Sequence, residues 1–447
     1  MTLRRILAIW ISKITCAVCK LAGKQGVTLA GKLAIKIDPA ILTELSSQVR
    51  EKIFVTCGTN GKTTTNNLLC SALEAEGKKV VCNHTGSNML NGVVSAFVLA
   101  AKPNGRLDAD YACIEIDEAS TVRVFPHFKP DYMILTNLFR DQLDRYGEID
   151  ITMKLLKKAM RMAPDMKLIV NGDDALSAFL ALDAGNDYVT FGIGKQYQKE
   201  DADSREIREG RFCKRCGEKL NYRFYHYSQL GDYECPKCGF RRPKLDFDAE
   251  DVKAGGKLAF TVDNRTIKAN YRGFYNIYNI LAAYAAGQTA GLELKNYNRV
   301  LADYNPQNGR MEHFRVKNTD IILNLAKNPA GFNQNISAVQ EDESPKDIIV
   351  LINDNAQDGT DISWLWDVDF DRFRDMNAAS ITVSGIRCQD MRLRLKYVDI
   401  PSKLEPDVEK AIRSCVEHGT GNLYVLVNYT ALYSTHNILK RLEGEKV

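Results

Sequence analysis

The stretch from Ile53 to Thr65 limits what this chain can fold into more than any other. Ile53-Phe54-Val55 reads as the end of a buried parallel strand, and Asn66 to Leu73 opens a helix. Between them lies Gly58-Thr59-Asn60-Gly61-Lys62-Thr63-Thr64. Strand, glycine-rich turn, Lys-Thr and helix follow one another in the order a phosphate cradle requires. The glycines let backbone N–H groups close round phosphate oxygens, and the helix N-terminus adds a partial positive charge. Lys62 is placed to reach the terminal phosphates, and the Thr63 hydroxyl to sit on Mg²⁺. The first glycine of the general pattern is replaced here by Thr56. The expected ligand is ATP.

Further strands follow at intervals filled by helical stretches. Lys78 to Cys82 reads as a strand ending in the polar loop Asn83-His84-Thr85-Gly86-Ser87-Asn88, and Asn91 to Ala101 as a helix. Tyr111 to Glu118 is a strand running into acids. A carboxylate at the tip of a buried strand beside a phosphate loop suits Mg²⁺, and Glu115 is the first candidate, with Glu118 and Asp117 behind it. Tyr132 to Asn137, Lys167 to Asp174 and Val189 to Gly194 are three more strands, each closing on polar residues. This alternation predicts an α/β fold with a doubly wound parallel sheet, whose ligands sit at the carboxyl edge.

At 447 residues the chain is long enough for two or three domains. Its net charge of +4 does not by itself point to nucleic acid, and no nucleic-acid partner is expected. The first 36 residues carry seven Lys or Arg and no acid, among Ile6, Leu7, Ile9, Trp10, Ile11 and Ile14. They suit a basic amphipathic helix that either packs on the domain or lies on a membrane surface. Lys13 and Lys20 interrupt the apolar run, which argues against a signal peptide, and no segment supplies the roughly 20 apolar residues of a spanning helix. The expected location is cytoplasmic.

Of the twelve cysteines, eight are scattered and expected to be reduced and mostly buried. The other four form Cys213-Lys-Arg-Cys216, then eighteen residues, then Cys235-Pro-Lys-Cys238. Two such knuckles predict a zinc ribbon, with Gly217 and Gly239 completing the turns and Tyr222, Phe224, Tyr225 and Tyr227 packing the small sheet. An all-cysteine site is closed, so the zinc is expected to be structural. His226, between the knuckles, is expected at the surface rather than on the metal.

The Gly58 loop, the Glu115 strand, Thr136 to Asp144, Asn171-Gly172-Asp173-Asp174, Gly273 to Ala283 and Gly309-Arg310-Met311-Glu312 occur in the order seen in Mur ligases. The chain resembles that family, which includes the folylpolyglutamate synthases, over about 40–315. The resemblance implies phosphorylation of a substrate carboxylate by ATP and attack of an amine on the acyl phosphate. It also implies phosphate and Mg²⁺ contacts at Lys62 and Thr63, Mg²⁺ at Glu115, and nucleotide contacts at Asn279 and Arg310. Gln142 stands where the family commonly has a metal-associated His, and Lys157 and Lys158 are the candidates for its carbamylated lysine. With the phosphate loop beginning near residue 58, an N-terminal nucleotide-sugar-binding domain is not expected, nor is a substrate held by a UDP group.

In the last third, Phe314 to Asn324, Asp347 to Ile352 and Leu423 to Thr430 read as strands. Lys327-Asn328-Pro329 occupies the place of a nucleotide-facing turn in Mur ligases. The run Asn353 to Asp367 sets several acids beside Trp364 and Trp366, which suits a contact or functional loop. Together with the four-cysteine insertion these stretches are similar to one branch of the family, the Mur-ligase-like subunits of lipid II isoglutaminyl synthases. The similarity implies amidation of the D-glutamate α-carboxylate of the lipid II stem peptide at the membrane, with ammonia from a separate class I amidotransferase-type glutaminase in a heterodimer. It further implies that an acid of the C-terminal domain completes the partner's Cys-His pair, with Asp354 first and Asp358 and Asp361 as alternatives. The residues agree in one respect: no cysteine sits in a nucleophile elbow and no histidine pairs with one.

The expected organisation is a basic N-terminal segment at 1–39, a central ATP-binding domain at 40–315 with the zinc ribbon inserted at 205–245, and a smaller α/β domain at 316–447. Two other functions remain open at this stage: an amino-acid-adding ligase of the folylpolyglutamate synthase type, and a non-catalytic nucleotide-binding scaffold.

Overall fold

The computed structural model describes residues 2–21, 26–84, 86–141, 149–197, 208–270, 272–304, 309–355 and 357–444. Its central sheet is built on β1 (Lys52–Cys57), β2 (Val80–Cys82), β3 (Tyr111–Glu115), β4 (Tyr132–Leu135), β5 (Lys167–Asn171) and β6 (Tyr188–Gly192). After the hairpin β7 (Asn221–Tyr227) and β8 (Leu230–Glu234), the short β9 (Phe247–Asp248) joins its edge. The order is β2-β3-β1-β4-β5-β6-β9, and every pair is parallel. Side chains alternate across the sheet. Ile53, Val55 and Cys57 enter one core, shared with the helices Leu90–Ala100 and Ile149–Met162. Phe54, Cys113, Ile134 and Ile169 enter a second, shared with Lys62–Ala75 and Tyr275–Thr289. Two cores on opposite faces are what doubly wound means, and they set the strand tips as the exposed edge.

The chain leaves β1 to one side, through β2 and β3, and crosses to the other at β4. The loop after β1 therefore lies between the tips of β3 and β4, at the switch point where such sheets bind ligands.

The first helices, Leu3–Leu21 and Val27–Ile37, form a hairpin tied by Ser12 Oγ donating to the Ala30 carbonyl at 2.9 Å. Gly31 lets the second helix meet Leu90–Ala100, since a Cβ there would lie 1.8 Å from the Asn91 carbonyl oxygen. Ala8, Ile9 and Ala34 enter the first core. The packed-helix expectation holds for this face.

A three-stranded antiparallel sheet, β10 (Glu250–Lys253), β11 (Leu258–Val262) and β12 (Arg265–Ala269), covers part of the second core. The C-terminal sheet comprises β13 (Glu312–Val316), β14 (Thr319–Leu325), β15 (Lys346–Leu351), β16 (Ala378–Ser384), β17 (Lys403–Leu404) and β18 (Asn422–Val427), in the order β13-β14-β18-β15-β16-β17. Two expectations are corrected here. Phe314 to Asn324 is not one strand but two antiparallel ones, reversed at Lys317, whose φ is +50°. The strand expected over Leu423 to Thr430 stops at Val427, and Tyr429 begins the final helix, Tyr429–Gly444.

Candidate active site

Gly58 and Gly61 take φ of +121° and +86°, backbone that side chains rarely adopt. They are also crowded: a Cβ on Gly58 would lie 2.2 Å from Thr136 Oγ1, and one on Gly61 2.0 Å from Asn279 Oδ1. The loop is clamped from β4, where the Asn137 carbonyl and side-chain oxygens accept from the Thr59 and Asn60 amides at 2.8 and 2.9 Å. Lys62–Ala75 then begins directly behind Gly61. The first amides of a helix have no intrahelical acceptor, so these are available to an anion.

Lys62 is buried among carboxylates. Its Nζ lies 2.9 Å from Glu118 Oε1, and that oxygen also accepts from the Gly58 amide at 2.9 Å. Burial alone lowers a lysine, but Glu118, Glu115 and Asp117 outweigh it and hold the ammonium charged, well above its ordinary range. Glu118 thus neutralises the lysine when no phosphate does. Beside this pair, Thr63 Oγ1 donates to Glu115 Oε2 at 2.7 Å and Asn88 Nδ2 to Glu115 Oε1 at 2.8 Å. Asn83 fixes the Glu115 backbone in both directions at 2.8 Å. Gly86 faces this corner, where a Cβ would lie 3.3 Å from Thr63 Oγ1 and 3.4 Å from Glu115 Oε2. A hydroxyl and a carboxylate in one cleft, with no side chain over them, fit a hard cation that prefers oxygen ligands.

Asn279 lies against the loop at Gly61, and its Nδ2 donates to Asn276 Oδ1 at 3.0 Å. Arg310, two residues before β13, leaves its buried Nε without an acceptor, and Asn335 leaves its buried Nδ2 likewise. Tyr275 lies under the influence of Arg310 and hydrogen-bonds Asn324 and Asn276. Unpaired buried donors are costly, and here they line the seam between the two domains.

The C-terminal domain also reaches the loop directly. Asn328 exchanges amide hydrogen bonds with Asn60 at 3.1 and 3.3 Å, Lys327 pairs with Asp141 at 2.7 Å, and Asp367 with Arg140 at 3.3 Å. Arg140 and Asp141 line a cleft with Thr59, Glu118 and Thr152. Lys157 is instead paired with Asp183, Lys158 is exposed, and Gln142 lies outside the described residues. Glu118, Asn83, Asn88 and Asp141 carry more of the arrangement than their sequence signal indicated. The polar loop after β2 was the one pointer to Asn83 and Asn88.

The four thiols of the insertion converge. Cys213 and Cys238 Sγ are 3.5 Å apart, as are Cys216 and Cys235, and all four lie within 4.8 Å of one another. Gly217 and Gly239, with φ of +78° and +71°, close the knuckles by donating to the Cys213 and Cys235 carbonyls at 2.8 and 3.1 Å. The module packs through Phe240 on Phe179 and through Gln229, which donates to Asp174 at 2.7 Å. His226 is half-buried rather than at the surface. Its ring packs near Phe224, Phe274 and Tyr278 and bonds the Ile193 carbonyl at 3.0 Å, and burial lowers it to about 4.

Of the three C-terminal acids, Asp354 follows β15 and is held by Arg387 at 2.6 Å, with its side chain 19% exposed. Asp358 is buried and turned inward, accepting from the Thr430 amide at 2.8 Å and from its hydroxyl, so that it caps the last helix. Asp361 accepts from the Ser363 amide at 2.8 Å, and the Ser363 hydroxyl, then this amide, draw its carboxyl below the ordinary range. Beside Asp354, Ile386 and Tyr429 are exposed at the carboxyl edge of β15, β16 and β18, while Trp366 packs edge-on to Tyr397 at 5.1 Å beyond the far end of the helix Cys388–Lys396.

Comparison with known proteins adds to this geometry. Residues 55–287 match the Mur ligase middle domain, and residues 325–432 match the MurT ligase C-terminal domain. The chain is 34% identical over 432 residues to the lipid II isoglutaminyl synthase (glutamine-hydrolyzing) subunit MurT of Staphylococcus aureus (strain COL), covering 96% of each chain. To the subunit of the same name from Streptococcus pneumoniae it is 31% identical over 420 residues, covering 93% of this chain and 92% of the relative. Among solved structures, a pseudomurein peptide ligase type C from Methanothermus fervidus superposes with a TM-score of 0.70 at 23% identity, covering 89% of this chain and 80% of that one.

Proposed function

The chain belongs to the Mur ligase family, in the branch of the MurT subunits of lipid II isoglutaminyl synthase, and from that premise we propose its reaction and the residues that carry it. It is an ATP-dependent carbon–nitrogen ligase of peptidoglycan synthesis that amidates lipid II, converting the D-glutamate α-carboxylate of the stem peptide to D-isoglutamine. The observation that carries this reading is a phosphate and cation cradle joined to a C-terminal edge where Asp354, held by Arg387, lies beside exposed Ile386 and Tyr429.

The substrate carboxylate is a poor electrophile. Its oxygen attacks the terminal phosphorus of ATP, ADP leaves, and the acyl phosphate formed is open to ammonia, which displaces phosphate and loses a proton. Gly58, Thr59, Asn60, Gly61 and Thr64 shape the loop round the phosphates, and Lys62 exchanges Glu118 for phosphate oxygen. Thr63 and Glu115 would hold Mg²⁺, which offsets phosphate charge when bound. Asn279 and Arg310 hold the nucleotide, the latter through its unpaired buried Nε. The work of these residues is positioning and charge neutralisation.

Cys213, Cys216, Cys235 and Cys238 hold structural Zn²⁺. A tetrahedral ion with Zn–S near 2.3 Å sets its sulfurs about 3.8 Å apart, close to the spacing in place here. Ammonia comes from a class I amidotransferase-type glutaminase docked on the Asp354 edge. Asp354 orients the partner's imidazole; Asp358, spent on Thr430, and Asp361, spent on Ser363, are the weaker candidates. The need for ATP places the reaction in the cytoplasm, and the lipid-linked substrate places it at the inner face of the membrane; no described helix is long and apolar enough to cross one.

The test supplies the purified chain with ATP, Mg²⁺, lipid II and ammonium, and reads the stem peptide by mass spectrometry. Conversion of one carboxylate to an amide is expected. ATP consumption with an amino acid added instead would favour an extension ligase of the folylpolyglutamate synthase type, and binding of ATP without turnover a scaffold.

A further inference from the structure

The first helix is apolar on two opposite faces, and the fold uses only one. Arg5, Ala8, Ile9, Ser12 and Cys16 are turned to the domain. Leu3, Leu7, Trp10, Ile14, Val18 and Leu21 are turned to solvent and are between 48% and 90% exposed. Each is three or four residues from the next, so they occupy one arc of roughly 80° and run some 27 Å along the helix. Leu29 of the second helix adds to the exposed apolar surface of the hairpin. A stripe of this length is far from the scattered exposed leucines of an ordinary surface.

Its surroundings select the occupant. Residues 1–36 contain seven cations and no acid. Arg5 is spent internally on Asp38 and Glu44. None of Arg4, Lys13, Lys20, Lys32 or Lys36 is paired with a carboxylate among the described residues; Arg4 and Lys13 donate to the carbonyls of Ile37 and Leu99, which leave their charge unneutralised. Apolar side chains with a tryptophan, flanked by unneutralised cations, match a bilayer interface whose headgroups are anionic. We propose that the helix Leu3–Leu21 docks the protein flat on an anionic lipid surface, with Leu3, Leu7, Trp10, Ile14, Val18 and Leu21 entering the acyl boundary.

The consequence for the site follows from packing. The hairpin sits on Leu90–Ala100, the helix that begins just after Asn88, and Asn88 holds Glu115. A lipid-bound hairpin is therefore rigidly connected to the cation corner. That the same surface also presents the substrate rests on the amidation reading; the docking itself does not.

The experiment uses the full chain and vesicles without lipid II, either zwitterionic or containing phosphatidylglycerol. Co-sedimentation is expected with the anionic vesicles, weakening with salt, and bilayer-embedded brominated lipid is expected to quench a component of tryptophan emission that Trp10→Phe removes. A Leu7→Ser/Trp10→Ser/Ile14→Ser variant, altered only at exposed positions, should lose vesicle binding on the order of tenfold or more. It should keep its turnover on a water-soluble, short-chain lipid II analogue, so a failed amidation reading and a failed docking are separate results. Absence of vesicle binding, or binding equal in the triple variant, would overturn the proposal. So would a concentration-dependent dimer that the triple substitution abolishes, since that would assign the stripe to a second copy.

Discussion

The phosphate loop and the Asp354 edge are both carboxyl ends of parallel strands, yet they are finished to different degrees. At the loop nearly every functional group already has a partner within the chain. Lys62 holds Glu118, Thr63 holds Glu115, Asn88 holds Glu115 from the other side, and Asn60 holds Asn328. At the Asp354 edge one carboxylate is fixed by Arg387 and flanked by exposed Ile386 and Tyr429. Burial of the first site suits small charged ligands, which need displace only pairs of charges. The second leaves apolar and aromatic side chains at the surface. One strand-edge design thus serves a cradle whose groups are paired within the chain and, in the function proposed above, a docking edge for the glutaminase.

The largest effect that would sharpen this contrast is at Lys62. Lys62→Ala should reduce amidation on the order of a thousandfold or more with any nitrogen source, while leaving glutaminase binding unchanged by titration calorimetry. A change in partner affinity would break the separation of the two sites. Next, Ile386→Ala with Tyr429→Ala should weaken partner binding about 10- to 100-fold and leave ammonium-dependent turnover intact. Asn88→Ala should raise the Mg²⁺ requirement on the order of tenfold, read from turnover against metal concentration, because it frees Glu115 to swing. The smallest effect concerns the seam between the insertion and the sheet. Burial holds His226 at about 4, against an ordinary value of 6.5, so the folded ring stays neutral while the unfolded one takes a proton below about pH 6.5. Its stability contribution is therefore complete above that pH and is lost as pH falls toward 4, by at most about 3 kcal/mol. Thermal unfolding across this range should be flatter in His226→Gln.

Much of this was legible because it is local. The phosphate loop is one contiguous run, and the two knuckles need only their own turns, so residue order alone places their groups. The failures are of a different kind. The polar run Lys317-Asn318-Thr319-Asp320 reverses the chain with no glycine or proline to mark it, so β13 and β14 read as one strand. Tyr429 looks like strand, but Thr430 is capped by Asp358 from 72 residues away, and no local pattern carries that bond. Glu118 reads as a spare acid until Lys62 is seen beside it. The first helix reads as amphipathic, yet Ile9 turns inward and Ile14 outward, so its sequence could not say which apolar stripe the domain takes.

The measurement that tests the central claim most directly is amidation of lipid II by Asp354→Asn under two nitrogen sources, ammonium and glutamine with the glutaminase partner. A ligase site complete in itself and a carboxylate lent to the partner predict full ammonium-dependent turnover and a glutamine-dependent rate reduced on the order of a hundredfold or more. Equal loss in both would place Asp354 in the ligase site and contradict the division of labour drawn here.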